Sequence, residues 1–197
     1  ELDRVEIPGW DFGHSNPRPY GGAVNIDGDF WVTGYYGPAV RIDAQTLEYD
    51  YIDPPDGAGF YGMTLDSTGN MWIGGCDGAI YHYDVPRDSM QLIAPVEGRA
   101  RGVMVDREGR AWFAGNNPCR LIMADTRTKT LVDENIALPG CSDPVGVSID
   151  VEGYVWVVDR GADLAYKVDP DTHDIVFTVD GLVAPYTYSD MTGAGLG

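Results

Sequence analysis

The feature that most constrains this chain is a spacing. Four times a glycine precedes a tryptophan by ten positions: "GGAVNIDGDFW" from Gly21 to Trp31, "GMTLDSTGNMW" from Gly62 to Trp72, "GVMVDREGRAW" from Gly102 to Trp112 and "GVSIDVEGYVW" from Gly146 to Trp156. Each copy has Asn or Asp four residues after the leading glycine (Asn25, Asp66, Asp106, Asp150) and a second glycine three residues further on (Gly28, Gly69, Gly109, Gly153). The steps from tryptophan to tryptophan are 41, 40 and 44 residues. A weaker fifth copy, "YTYSDMTGAGL", starts at Tyr186; it keeps Asp190 and Gly193 but lacks the leading glycine and the tryptophan. Repeats of about forty residues imply stacked or radially arranged units, each too small to bury its own faces.

Each unit reads as strands. Positions 23–26, 63–66, 103–106 and 147–150 are short and mostly rich in Val, Ile, Leu, Met and Thr, and end on Asp or Asn followed by x-x-Gly. That ending is turn chemistry: Asp and Asn bond their own backbone, and glycine accepts positive φ. A second strand follows ("DFWVTG", "NMWIGG", "RAWFAG", "YVWVVD"), then a third ("AVRID", "AIYHYD", "RLIMAD", "AYKVD") and a fourth ("LEYDYI", "MQLIA", "TLVDENI", "DIVFTV"). No helical period interrupts them. Four antiparallel strands per unit predict an all-β fold, a β-propeller of four-stranded blades, with the tryptophan packed between adjacent blades. The predicted blades are 20–59, 60–99, 100–143 and 144–184 in a single domain. Residues 1–19 supply an outer strand ("LDRVEIPGW") and link, and 185–197 begin a further partial blade.

The stretch "GVSIDVEGYVWVVDRGADLAYKVDPDT" resembles an NHL-type propeller repeat, and the chain from about residue 20 is similar to the streptogramin (virginiamycin B) lyase-like branch. Such relatives have more blades than this chain encodes, so the resemblance implies part of a six- or seven-bladed ring. The alternative is a small irregular five-bladed ring, and an open arc exposes blade edges through which copies can associate. The resemblance also implies a carbon–oxygen lyase chemistry, in which histidine acts with a carboxylate and a divalent metal at the channel mouth. Here the positions before the leading glycines hold Tyr20, Tyr61, Arg101 and Val145 rather than histidine. His82 falls in a third strand and His173 in an outer turn, so only His14 can reach the mouth.

Formal net charge is −18, with 31 acidic against 13 basic residues, which excludes a nucleic-acid footprint and anionic membrane surfaces. No apolar run reaches transmembrane length. The acidic groups are dispersed and mostly in turns, a solubilising surface; calcium or magnesium binding is the sharper alternative, although no twelve-residue EF-hand loop is present. The stretch opens on Glu1 without methionine or signal peptide, which reads as a processed or excised segment. Cys119, between second and third strands, and Cys141, in the link that follows, lie on the same face. A disulfide between them is a candidate pairing and implies an extracytoplasmic or secreted protein. Cys76 lacks a histidine partner and reads as inert or disulfide-bonded.

In propellers the blade-to-blade links and the loops between second and third strands surround the channel mouth. That face gathers the candidate ligand-binding residues Trp10, His14, Tyr20, Tyr35, Tyr36, Tyr61, Asp77, Arg101, Asn116, Asn117, Asp159 and Arg160. Aromatic, amide and charged groups on one rim suit a small-molecule or protein ligand. The leading expectation is therefore a secreted, non-catalytic binding propeller. A metal-dependent lyase or hydrolase with catalytic groups partly outside this segment, and a structural module of a larger extracellular protein, are the alternatives.

Overall fold

A computed structural model of the chain describes residues 4–10 and 18–187. They form sixteen strands in four antiparallel sheets and a single 3₁₀ turn, Val85–Arg87; no α-helix occurs among the described residues. The first sheet comprises β1 (Pro19–Val24), β2 (Phe30–Gly34), β3 (Ala39–Ile42) and β4 (Tyr49–Ile52). The second has β5 (Phe60–Leu65), β6 (Met71–Gly75), β7 (Ala79–Asp84) and β8 (Ser89–Pro95). The third has β9 (Arg99–Val105), β10 (Arg110–Asn116), β11 (Arg120–Asp125) and β12 (Thr130–Ile136). The fourth has β13 (Pro144–Ile149), β14 (Val155–Asp159), β15 (Leu164–Val168) and β16 (Ile175–Val179). Strands follow chain order in every sheet. The first strands adjoin one another, β1 with β5, β5 with β9 and β9 with β13, so they lie innermost and the sheets fan outward as propeller blades.

The fixed Asp-to-Trp spacing has a local cause. In the second blade one oxygen of Asp66 accepts the backbone N–H groups of Thr68 and Asn70 at 2.9 and 3.1 Å, which makes the turn. The other oxygen accepts the Trp72 indole N–H at 3.0 Å. Asp106 does the same for Trp112 at 2.9 Å and Asp150 for Trp156 at 2.9 Å. Gly69, Gly109 and Gly153 complete these turns at φ 78°, 81° and 93°, where a side chain would be strained. Asn25 builds the turn of the first blade but leaves the Trp31 indole N–H buried without an acceptor among the described residues.

The indoles are the wedges between blades. Trp31 packs from the first blade onto Phe60, Met63, Met71 and Ile73 of the second. Trp72 packs onto Val103, Ala111 and Phe113 of the third, and Trp112 onto Val147, Val155 and Val157 of the fourth. All three are at most 1% exposed. The inter-sheet approach is close: a Cβ on Gly74 would lie 2.4 Å from the Arg101 carbonyl oxygen of the next inner strand.

Two expectations need correction. Trp156 does not share the environment of the other three; it is partly exposed, on a face shared with Val145, Val158 and Ala165. No further blade is described beyond that face, and Leu182 and Tyr186 of the following segment cover it instead. The predicted outer strand at the start is also not formed. Residues 4–10 carry no strand, because Pro8 lacks an N–H and Gly9 sits at φ 80°, closing a turn with Trp10 N–H on the Ile7 carbonyl at 3.2 Å. The fifth, partial copy lies mostly outside the described residues.

His82 marks the interface between the second and third blades. It stands across from Trp72, its ring 5.0 Å from the indole, and is 0% exposed. Neither ring nitrogen has a hydrogen-bond partner among the described residues. Burial, reinforced by Lys129, pushes its pKa below the ordinary value of 6.5 against the opposing pull of Asp66 and Asp84. The unfolded chain therefore binds this proton more readily than the folded chain. The stabilising difference is complete above pH 6.5 and is lost as pH falls below it toward the folded-state value. Unfolding free energies from urea titrations between pH 7 and 5 should fall in the wild type by no more than about 1.4 kcal/mol per pH unit from this group, and less in His82→Phe.

Candidate functional site

Every inner strand carries a one-residue bulge near its start. The register against the second strand slips between Pro19 and Gly22, Phe60 and Met63, Ala100 and Val103, and Pro144 and Gly146. Bulges re-aim side chains. The residues within these bulges include Tyr20, Tyr61, Arg101 and Val145, which places them at the axial end of the blades.

There Tyr20, Tyr35 and Tyr61 form one cluster. Ring centroids are 5.1 Å apart for Tyr20 and Tyr35, 4.8 Å for Tyr20 and Tyr61, and 6.0 Å for Tyr35 and Tyr61; Tyr36 stands edge-on to Tyr35 at 4.6 Å. Tyr186, arriving from the segment after β16, brings its hydroxyl to those of Tyr20 and Tyr61, the latter at 2.6 Å. Burial pushes the Tyr61 phenol up to about 12, and burial with the neighbouring Cys76 does the same for Tyr36. Both are neutral phenols across the physiological range. Burial also raises the Cys76 pKa above its ordinary value, so it is present as a thiol rather than a nucleophilic thiolate.

Beside the tyrosines lies a charged network. Asp143 is its hub: Oδ1 accepts Arg101 Nη1 at 2.5 Å and Asn116 Nδ2 at 2.7 Å, and Oδ2 accepts Arg160 Nε at 2.8 Å. Guanidiniums also cap the rings, Arg18 over Tyr35 at 5.4 Å, Arg101 over Tyr61 at 5.7 Å and Arg160 over Tyr186 at 5.5 Å. The structure thus brings Tyr20, Tyr35, Tyr36, Tyr61, Arg101, Asn116 and Arg160 together.

The remaining candidates part company. Asp159 is 0% exposed and does not face the mouth as a ligand group; its oxygens accept the backbone N–H groups of Ser142, Asp143, Gly161 and Ala162 at 2.7–2.9 Å. Arg160 pairs with Asp143, a single aspartate in a proline-bounded link that carries no motif. Asp77 is exposed and accepts the Tyr81 hydroxyl. Asn117 is exposed at φ 57°, shaping the turn before Pro118. Trp10 lines a cavity with Val5, Ile7, Pro8 and Pro19 beside the opening segment. His14 lies outside the described residues. His82 lies within β7, buried between the second and third blades, and His173 lies in the β15–β16 turn against Trp112; neither is in a mouth loop. Among the described residues the one grouping with metal-ligating potential is Cys119, Cys141 and Asp159. Its two cysteines are joined to each other, and its carboxylate is taken up by backbone donors, so the set does not fit a metal.

That Cys119–Cys141 disulfide ties the rim of the third blade to the link entering the fourth, across a sequence separation of 22 and a Cα–Cα distance of 6.1 Å. Loop-closure entropy for such a crosslink is worth about 3 kcal/mol. The Cys119→Ser/Cys141→Ser double variant should lose about that amount in urea unfolding, and reductant should then leave its midpoint unchanged.

No protein-family model matches the chain, and no curated protein matches it in sequence. Solved structures do. A catalytically inactive virginiamycin B lyase from Staphylococcus aureus with quinupristin is 18% identical, with a TM-score of 0.71 over 82% of this chain and 55% of that one. A streptogramin B lyase is 17% identical, with a TM-score of 0.72 over 85% and 57%. A chain of a nidogen/laminin complex is 17% identical, with a TM-score of 0.73 over 85% and 66%. The chain therefore spans little more than half the length of the two lyases. What these likenesses share is the fold, a β-propeller.

Proposed function

We propose that this chain is an extracytoplasmic binding module that takes a small-molecule or peptide ligand at the propeller mouth without transforming it. The observation that carries the reading is the convergence of Tyr20, Tyr35 and Tyr61 with Arg101, Asn116 and Arg160 at the bulged ends of the inner strands. Rigid aromatic rings supply contact area at small entropic cost, and the guanidiniums and amide supply orientation. The sheets hold these groups stiffly, since each inner strand is paired outward and packed sideways. The disulfide supports an oxidising compartment. A lyase reading has less support, because His82 and His173 lie away from the mouth and Cys76 is a raised-pKa thiol.

Backbone amide shifts recorded against a panel of aromatic peptides, sugars and lactones test the reading. Changes should centre on Tyr35, Tyr61, Arg101 and Asp143, and Tyr61→Ala should weaken the binding at least tenfold. Shifts clustered elsewhere, or turnover of a lactone, would overturn it.

A further inference from the structure

Each blade ends in an edge strand, and the four edges differ. β4 contains Asp50 and has the opening segment fastened to it, the Tyr51 hydroxyl donating to the Pro8 carbonyl at 2.8 Å. β8 ends on Pro95, and Glu134 of the next blade reaches the link that leaves it, accepting the Glu97 N–H at 2.9 Å. β12 carries Asp133 and Glu134 within the strand and slips twice in register against β11. Charges, prolines and irregular pairing are the devices that keep an edge from taking up a further strand.

β16 has the fewest of them. Its residues read "IVFTV", strong strand formers with no charge and no proline, and its register against β15 slips once, between Ile175 and Phe177. Val176 is 48% and Phe177 57% exposed. No strand adjoins its outer side among the described residues, so alternate N–H and C=O groups point outward. The chain does not return along that edge. Leu182 and Ala184 donate their N–H groups to the carbonyl and the carboxylate of Asp163, at 3.0 and 2.7 Å, which carries the segment toward the β14–β15 turn. Exposed carboxylates bracket the strand, Asp174 before it and Asp180 after it. Lys167, across from Phe177 on β15, is already held by Asp150 and Glu152 at 2.9 Å each, and His173 stands beside Asp133. The surroundings of the edge are therefore apolar in the middle and acidic at both ends.

We propose that the β16 edge takes up an extended strand from a basic partner, with apolar or threonine residues opposite Ile175–Val179 and a Lys or Arg facing each of Asp174 and Asp180. Main-chain hydrogen bonds supply the pairing, and the flanking charges select the partner. A second copy of the chain is a poorer occupant. Antiparallel pairing centred on Phe177 sets Asp174 of one copy against Asp180 of the other, between two chains of net charge −18. The edge is separate from the mouth, so this proposal and the binding reading above stand or fall independently.

Three capped peptides titrated onto the 197-residue chain test it: Lys-Val-Thr-Val-Thr-Val-Lys, the same sequence with Glu at both ends, and the Lys-flanked peptide methylated at every inner backbone nitrogen. The Lys-flanked peptide should bind roughly tenfold more tightly than the Glu-flanked one, and lose most of that preference in about 0.5 M salt. It should also slow hydrogen exchange at one alternate set of β16 amides. Methylation keeps the charge but removes the donors, and should weaken binding by roughly tenfold or more. Thr178→Lys, at an exposed position on the edge, should weaken it to a similar degree, whereas Val132→Lys on β12 should leave it unchanged. Absent binding of the Lys-flanked peptide overturns the proposal, as does equal binding of the Glu-flanked or the methylated one. Exchange protection confined to other strands, or binding untouched by Thr178→Lys, overturns the assignment to β16. Protection of β16 that grows with protein concentration in the absence of peptide gives the edge to a second copy and overturns the basic partner. Should Thr178→Lys not fold, the exchange pattern and the methylated peptide on the wild type decide.

Discussion

Trp112→Ala should destabilise the chain by about 3–5 kcal/mol, the cost of emptying a fully buried aromatic site that cannot collapse. The indole is 0% exposed, lies between the third and fourth blades, and donates to Asp106 at 2.9 Å. Its removal opens a void lined by Val147, Val155 and Val157 and leaves the inner oxygen of Asp106 with only the Arg110 guanidinium, at 2.6 Å. The rigid pleat on both sides limits relaxation, so the loss belongs at the upper part of the range for such substitutions. Trp156→Ala should cost markedly less, because that side chain is partly exposed and faces no described blade. Urea unfolding of the two variants under identical conditions checks the contrast. Equal losses would mean that the fourth blade's outer face is as tightly covered as the interfaces before it.

Asp159→Ala is expected to cost about 2–4 kcal/mol, the larger part from N–H groups left without an acceptor. One buried carboxylate holds Ser142 and Asp143 from the link into the fourth blade and Gly161 and Ala162 from the β14–β15 turn. Those two segments carry Asp143 and Arg160, so the damage reaches the mouth. Faster hydrogen exchange at the amides of Ser142 and Gly161, together with a weakened Asp143–Arg160 pair, should accompany the stability loss. Asp159→Asn retains one acceptor oxygen and should lose less. Unchanged exchange at both amides would show that the two segments are held by other contacts.

These two residues also show how far the sequence could be read. Trp112 was legible because blade geometry repeats, and a repeated constraint leaves a repeated residue: the glycine, the turn aspartate and the indole recur together. The reason for the six-residue interval between Asp106 and Trp112 was not legible, since it depends on the second carboxylate oxygen reaching back from the turn to the ring. Nor was the exception at the first blade, where Asn25 takes the turn position and Asp29 takes the charge, bonded to Arg41 at 2.6 Å. The non-equivalence of Trp156 came from what stands beside the blade, which a motif inside the blade does not encode.

At the mouth, position was easier to read than role. The topology alone brings Tyr20, Tyr61 and Arg101 to the axial ends of their strands, and Tyr35 and Arg160 to the adjoining loops. Whether an aspartate there faces a ligand or fastens a loop depends on which backbone N–H groups converge on it. That is why Asp159 proved structural and Asp143 proved central. Trp10 diverged for a similar reason: the Pro8–Gly9 turn directs the opening segment along the first blade, where the Pro8 carbonyl accepts the Tyr51 hydroxyl at 2.8 Å.

The incomplete cover over Trp156 gives the molecule an intrinsic optical probe. Three of its four repeat indoles are sealed in apolar surroundings, while this one borders water and lies beneath the Lys167 ammonium at 5.7 Å. With Trp10, the fifth and also partly exposed indole, replaced by Phe, the Trp156 emission should lie to the red of theirs and be open to collisional quenchers that leave theirs untouched. Any sheet, chain or partner that settles onto the fourth blade will then announce itself as a blue shift, without a label being added.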